Sequence, residues 1–326
     1  MFKYDWSLID IKTGLIFMAG VWITFTYMGG GEFAWYAAGT AALLAWCTIL
    51  LVPPQSRRRD FAGLFVYLVG GAAMTWLGWE ISGNPVAVVI SMFVVTFAAY
   101  SMLMIGGHEF MVGWCVVYWL MLIPLFVSGQ TLEGLLKAHV LGTGVVIALN
   151  ILKPLWDRKP RPEPTPADPV DRGFMTRYAG IVATAIAGGT ALGTQLLTVD
   201  PTVVANATIN IISPSLKVVW RNAVERVVLA FAGLIIGFYL GWFFPGDLFG
   251  NVLTAVTAFA ALAMVRVSFS ILMFFLFMML AYPWGVMHTD AGHLIANEKL
   301  IGELIGIVMA IVAIGLLTRL KRTRTA

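Results

Sequence analysis

The residues best able to do chemistry lie in two stretches of the second half. Residues 200–226 read DPTVVANATINIISPSLKVVWRNAVER and set Asn206, Thr208 and Asn210 in an apolar run bounded by Asp200-Pro201 and Ser213-Pro214. Buried amides need partners, and a short polar span bounded by prolines marks the binding site in transporters built from repeated halves. Asp200, Asn206 and Asn210 are therefore candidate substrate ligands, although Asn and Thr also serve as plain hydrogen-bonding glue between helices. Arg226 and Arg266 stand at helix ends, where a guanidinium can take the carboxylate of an organic anion bidentately. Anchoring at the membrane surface also accounts for arginines in such places.

The second stretch is LIGELIGIVMAIV, in which Glu303 sits about one turn inside an apolar run. A carboxylate at such a place is costly and for that reason usually functional. His139 precedes it by 164 positions (303 − 139) and is also about one turn inside its own run. Imidazole and carboxyl groups both exchange protons, so the two form a candidate proton-coupling set unless both are solvated at the membrane rim. His288, Asp290 and His293, in HTDAGH on an expected periplasmic loop, are zinc-ligand types without a second cluster, and no metal site is expected. His108-Glu109, after Gly106-Gly107, reads as a helix start. No GxxxxGK[ST] loop occurs, so neither ATP hydrolysis nor a bound cofactor is expected.

These residues must be positioned by membrane helices. Of 326 residues, 60% are apolar and 12% charged, and the mean hydropathy is +0.86. A soluble domain carries about 25% charged residues, so this chain could not cover itself with a polar surface. Cys47 and Cys115 both lie in apolar runs, which excludes a disulfide scaffold, and a net charge of +4 with dispersed Lys and Arg argues against nucleic acid. A crossing helix needs about 20 apolar residues. Twelve stretches qualify: 13–29, 34–53, 61–80, 86–105, 109–128, 135–152, 174–198, 201–216, 223–244, 249–266, 268–286 and 299–318. Alternate connections divide the 21 basic residues into a set of 19 and a set holding only Lys137 and Lys299. Basic residues concentrate on the cytoplasmic side, so both termini are expected there.

Residues 153–176 are proline-rich and of mixed charge, and read as a semi-rigid spacer at the midpoint. The halves on either side echo each other. Arg58, Gly70 and Leu77-Gly78-Trp79 match Arg221, Gly233 and Leu240-Gly241-Trp242 at a spacing of 163 (221 − 58), and Gly142 matches Gly306 at 164 (306 − 142). The expected fold class is thus an all-α integral membrane protein of about twelve transmembrane helices in two parallel six-helix repeats. It divides into 1–152, a cytoplasmic linker 153–173, and 174–326. A parallel repeat places its pseudo-two-fold axis along the membrane normal.

A short proline-bounded span, then Ser-Leu-Lys, arginines and a Gly-rich helix (SLKVVWRNAVERVVLAFAGLIIGFYLG), resembles the fusaric acid resistance and aromatic acid exporter family. The stretch NEKLIGELIGIVMAIV is similar to that family's final span, with a carboxylate beside the first Gly. The resemblance covers roughly 196–318 and is weakly echoed at 57–79 and 135–152; Arg226 falls where the family pattern has arginine. It implies efflux of aromatic or related hydrophobic organic acids across a bacterial inner membrane, driven by an ion gradient. A periplasmic adaptor and an outer-membrane channel are the partners it implies, and a homo-oligomer stays open. The chain lacks the sizeable cytoplasmic domains of the longer members. Two other classes compete: an integral-membrane enzyme such as an acyltransferase, for which HTDAGH offers the only constellation, and a scaffold that transports nothing.

Overall fold

In the computed structural model 92% of the described residues are helical and none is in a strand; the described residues are 5–6, 9–28, 34–50, 56–127, 131–155, 171–198, 202–212, 219–264, 267–286 and 290–325. The α-helices are α1 (Ile11–Met28), α2 (Ala34–Leu50), α3 (Arg57–Ile81), α4 (Pro85–Ser101), α5 (Gly107–Val127) and α6 (Leu132–Leu152). They continue as α7 (Arg172–Leu196), α8 (Val203–Ile211), α9 (Val219–Phe243), α10 (Asp247–Met264), α11 (Phe269–Val286) and α12 (Asp290–Thr325). Local chemistry sets several starts. Ser56, Asn84 and Thr131 each accept a backbone N–H with the side chain, at the starts of α3, α4 and α6, and Pro85 opens α4 where its missing N–H costs nothing. Most of the linker and the turn before α9 lie outside the described residues.

Among the described residues, six stretches are long and apolar enough to cross a membrane: Arg57–Ile81, Pro85–Met104, Leu132–Leu155, Arg172–Leu196, Val224–Phe243 and Asn297–Arg319. Shorter apolar runs occupy α1, α2, α5, α10 and α11. The long helices expose large apolar side chains in rows, among them Phe65, Val69 and Trp76 on α3, Val228, Ile235 and Tyr239 on α9, and Leu304, Val308 and Val312 on α12. Water-soluble surfaces do not carry such rows, whereas acyl chains cover them without cost.

Packing divides the helices into two compact units, 20–191 with 323–326, and 1–19 with 192–322. In the first unit α2 and α5 form the core. Residues 37–48 of α2 and 117–123 of α5 are buried throughout, as expected of helices apolar on every side. α5 runs in the same direction as α3, since Gly63 meets Val112, Gly70 meets Val116 and Gly78 meets Ile123. α4 returns between them, with Gly113 near the start of α5 against Ala99 near the end of α4.

In the second unit α9 and α11 run in the same direction as each other. Gly233, Gly237 and Gly241 lie against the backbone carbonyls of Phe274, Met278 and Tyr282, in steps of four on both helices. A methyl group at any of the three would collide with main chain, so a stripe of bare backbone is what lets α9 and α11 approach. Gly285 of α11 meets the Phe238 carbonyl from the other side. The Tyr282 hydroxyl donates to the carbonyls of Phe244 and Gly246 at 3.0 and 3.1 Å, which fixes the turn from α9 into α10.

Candidate functional site

The site grows from α8. Its nine residues span about 13.5 Å, against a hydrocarbon core of about 30 Å, and every one of them is buried. Such a helix has no lipid-facing side, so its polar side chains must be satisfied inside the protein. The Asn210 amide donates from Nδ2 to Asn206 Oδ1 at 2.8 Å, one turn earlier. The Thr208 hydroxyl donates to the Val204 carbonyl at 2.7 Å and lies 3.3 Å from the Gly306 carbonyl of α12. Asn206 and Asn210 thus share one face of this short helix, and Thr208, two residues from each, lies on the other, toward α12.

Two helices hold α8. α12 approaches through Gly302, against Val203, and Gly306, against Ala207 and the Val204 carbonyl, a small-xxx-small spacing with Glu303 between the two glycines. Leu197, Val203 and Val204 form an apolar cluster there, packed by Ile305 and Met309. From α9, Arg226 donates Nη1 to the Asn210 carbonyl at 2.8 Å. That carbonyl belongs to the last turn of α8, where backbone acceptors lack helical donors, so the guanidinium caps the helix at its negative dipole end. The residue before it, Glu225, is buried and points to another helix: Ser268, at the start of α11, donates Oγ to Glu225 Oε1 at 2.8 Å and accepts from Ser270 N at 3.1 Å.

Glu303 is 4% exposed and Lys299, one turn earlier on α12, is 5% exposed. Glu298 accepts from the backbone N–H of Thr198 at 3.0 Å and from the Thr198 hydroxyl, fastening the chain just after α7 to the start of α12.

His139 belongs to the other unit and is fully buried on α6. Its Nε2 lies 3.0 Å from the Leu68 carbonyl, which can only accept, so Nε2 carries the proton. The ring stands edge-on to Tyr67, with centroids 5.2 Å apart, and 5.3 Å from the Trp119 ring. Gly71 makes room for the imidazole: a Cβ at that position would strike it. Trp119 Nε1 donates to Thr75 Oγ1 at 2.8 Å, and Thr75 donates to the Gly71 carbonyl at 2.8 Å, which holds the wall of this niche in place. The His139 Nδ1 atom is buried without a hydrogen-bond partner among the described residues.

Of the residues singled out from sequence, Asn206, Asn210 and Arg226 come together at α8, and Glu303 is buried on the helix packed against it. Asp200 and Arg266 lie outside the described residues. The expected loop placement of HTDAGH is corrected in part, because Asp290 begins α12 and His293 falls within it; His288 lies outside the described residues. No group of three or more His, Cys, Asp or Glu suited to a metal occurs among the described residues. Sequence reasoning missed two buried groups. Lys299 counts as a loop cation by position, yet its spacing of four from Glu303 places both on one helix face. Glu225 is hidden beside the more conspicuous Arg226. His108-Glu109 does start a helix, as expected, and also ties α5 to α3, with Arg59 reaching Glu109 Oε1 through Nε at 3.0 Å and Nη2 at 2.6 Å.

No family model, curated protein or solved structure matches the chain.

Proposed function

We propose that the chain is a multi-pass carrier of a bacterial inner membrane that exports aromatic or hydrophobic organic acids, coupled to protons through Glu303. The observation that carries this reading is α8, a short and wholly buried polar helix, with an arginine at one end and α12 packed along it through the glycines that flank a buried carboxylate. Polar side chains within an apolar assembly are costly unless they are paired, and a cluster of them is the default place to look for a substrate pathway. The reading makes the chain a carrier and not an enzyme; the adaptor and outer-membrane channel rest on the family resemblance alone.

The reading has twelve crossings in two parallel repeats, with cytoplasmic termini, and internal likeness supports it. Gly142 of α6 meets the Ala38 carbonyl of α2, as Gly306 of α12 meets the Val204 carbonyl of α8. Gly78 packs on Ile123 and Gly241 on Val286, each pair displaced by 163 (241 − 78 and 286 − 123). Arg59–Glu109 joins the starts of α3 and α5, as Glu225–Ser268 joins those of α9 and α11.

The test is export. Cells lacking the protein should accumulate aromatic acids from a panel such as benzoate and hydroxybenzoates, and cells overproducing it should accumulate less. Glu303→Gln keeps size and hydrogen bonding, so it should reach the membrane at normal levels and lose most gradient-driven export. Unchanged export with an unchanged pH dependence in that variant would remove Glu303 from the coupling.

A further inference from the structure

We infer that one rim of the first unit binds an anionic phospholipid, with Arg57, Arg58, Arg172 and Arg177 taking the head group and the outer face of α3 taking the acyl chains. The inference is independent of the carrier reading and needs only helices that cross a bilayer. Three helices start at this rim and one ends there. Arg59 joins the start of α3 to that of α5 through Glu109. Tyr100, in the last turn of α4, has its ring 5.0 Å from Phe110 of α5 and 5.9 Å from Tyr178 of α7. The turn from α4 into α5 touches both neighbours. Thr176 Oγ1 of α7 lies 3.9 Å from Met104 Sδ, and a Cβ on Gly106 would come 3.5 Å from Arg59 Nη2.

Charge defines the head group. Arg57, Arg58, Arg172 and Arg177 are exposed, and none of them enters an ion pair among the described residues. The carboxylates nearby have other tasks. Glu109 pairs with Arg59, Asp171 accepts the backbone N–H groups of Gly173 and Phe174 at 2.9 and 3.2 Å, and Asp60 is buried. The rim therefore presents an excess of positive charge, and a guanidinium matches phosphate oxygens bidentately. Apolar surface decides between a lipid and a free anion. The turn Met102-Leu103-Met104-Ile105 carries no charge, and Ile105 is 68% exposed. Phe65, Val69 and Trp76 are also exposed and follow Arg58 by 7, 11 and 18 residues, which places them within about 20° of it around α3. Such a row fits a lipid whose chains lie along the helix and whose head group sits at its start. A free phosphate would use the arginines alone.

The test is lipid binding to the purified full-length protein in an uncharged detergent, read by native mass spectrometry and by melting shift. Dioleoylphosphatidylglycerol should bind and raise the melting temperature by about 2–4 °C. Dioleoylphosphatidylcholine has the same chains without net charge, and inorganic phosphate has the charge without chains; neither should do so. Replacing all four arginines by Gln should weaken phosphatidylglycerol binding more than about tenfold. Replacing them by Lys should stay within about threefold, because an ammonium still serves phosphate as a point charge. Lys137→Gln, which removes an exposed cation near the start of α6, should change nothing. If the fourfold Gln variant does not fold, Arg57→Gln with Arg58→Gln, and Arg172→Gln with Arg177→Gln, should each lose about threefold or more. Parent-like phosphatidylglycerol binding in the folded Gln variants overturns the inference, as does an equal loss in Lys137→Gln. Equal binding of phosphatidylcholine, or a response to phosphate as large as that to phosphatidylglycerol, overturns it too.

Discussion

Arg226 shows how one side chain can hold two roles. Its Nη1 caps the last turn of α8 through the Asn210 carbonyl, and on the proposed reading its guanidinium also serves as the planar fork that suits a carboxylate. Arg226→Gln loses the charge at a helix C-terminus and should cost about 1–2 kcal/mol, seen as a lower melting temperature of the detergent-purified protein. Arg226→Lys keeps the charge, can still reach a carbonyl, and should melt close to the parent. It loses bidentate pairing, so export of anionic acids should fall more than export of neutral analogues. Equal loss for both classes would leave Arg226 as a helix cap alone. His139 teaches a complementary lesson: its carbonyl partner, two ring neighbours and the bare Gly71 show a side chain closely fitted to its niche.

At the scale of elements, backbone approach decides the pairing. In lipid, apolar side chains gain nothing by leaving one apolar surface for another, so helices associate through close packing where glycines expose the main chain. The α9–α11 seam, with three glycines in steps of four against three carbonyls, is the clearest case. Gly237→Ala should force the helices apart and destabilise the fold by about 1–3 kcal/mol, the usual cost of overpacking. Gly315 of α12 is the control, since a Cβ there meets nothing within 4 Å. Gly315→Ala should be neutral or mildly stabilising, because alanine is the better helix former. Melting temperatures of the two variants, compared with the parent, settle the matter; equal effects would mean that the seam contributes no specific packing.

For the molecule as a whole, orientation is the testable quantity. The proposed reading puts the linker around 153–176 in the cytoplasm, because Lys and Arg are retained on that side during insertion. The native Cys47 and Cys115 are buried, so they give little background to a thiol-labelling experiment in intact cells. Single cysteines introduced in 153–176 should resist a membrane-impermeant maleimide until the membrane is opened, and those introduced at 288–293 should react at once. The reverse pattern would invert the topology and move Lys299 and Glu303 to the cytoplasmic end of α12.

What the sequence by itself determined was the class and the ladder of helices. Hydropathy is a local sum over about 20 residues, and runs that long cannot hide in water, so all six long apolar helices fall on stretches legible without a structure. The polar run after Asp200 was legible for the same reason, since Asn, Thr and Pro stand out against valine and isoleucine. Which faces meet was not legible. Glycines are scattered through most of these helices, and only the fold shows that Gly233, Gly237 and Gly241 line one seam while Gly315 lies in open space. Lys299 read as a loop cation because it stands at the edge of an apolar run, and only packing of the neighbouring Gly302 against Val203 brings that turn of α12 inside. Burial of a single residue depends on partners about a hundred positions away, and no local sum over the chain contains that information.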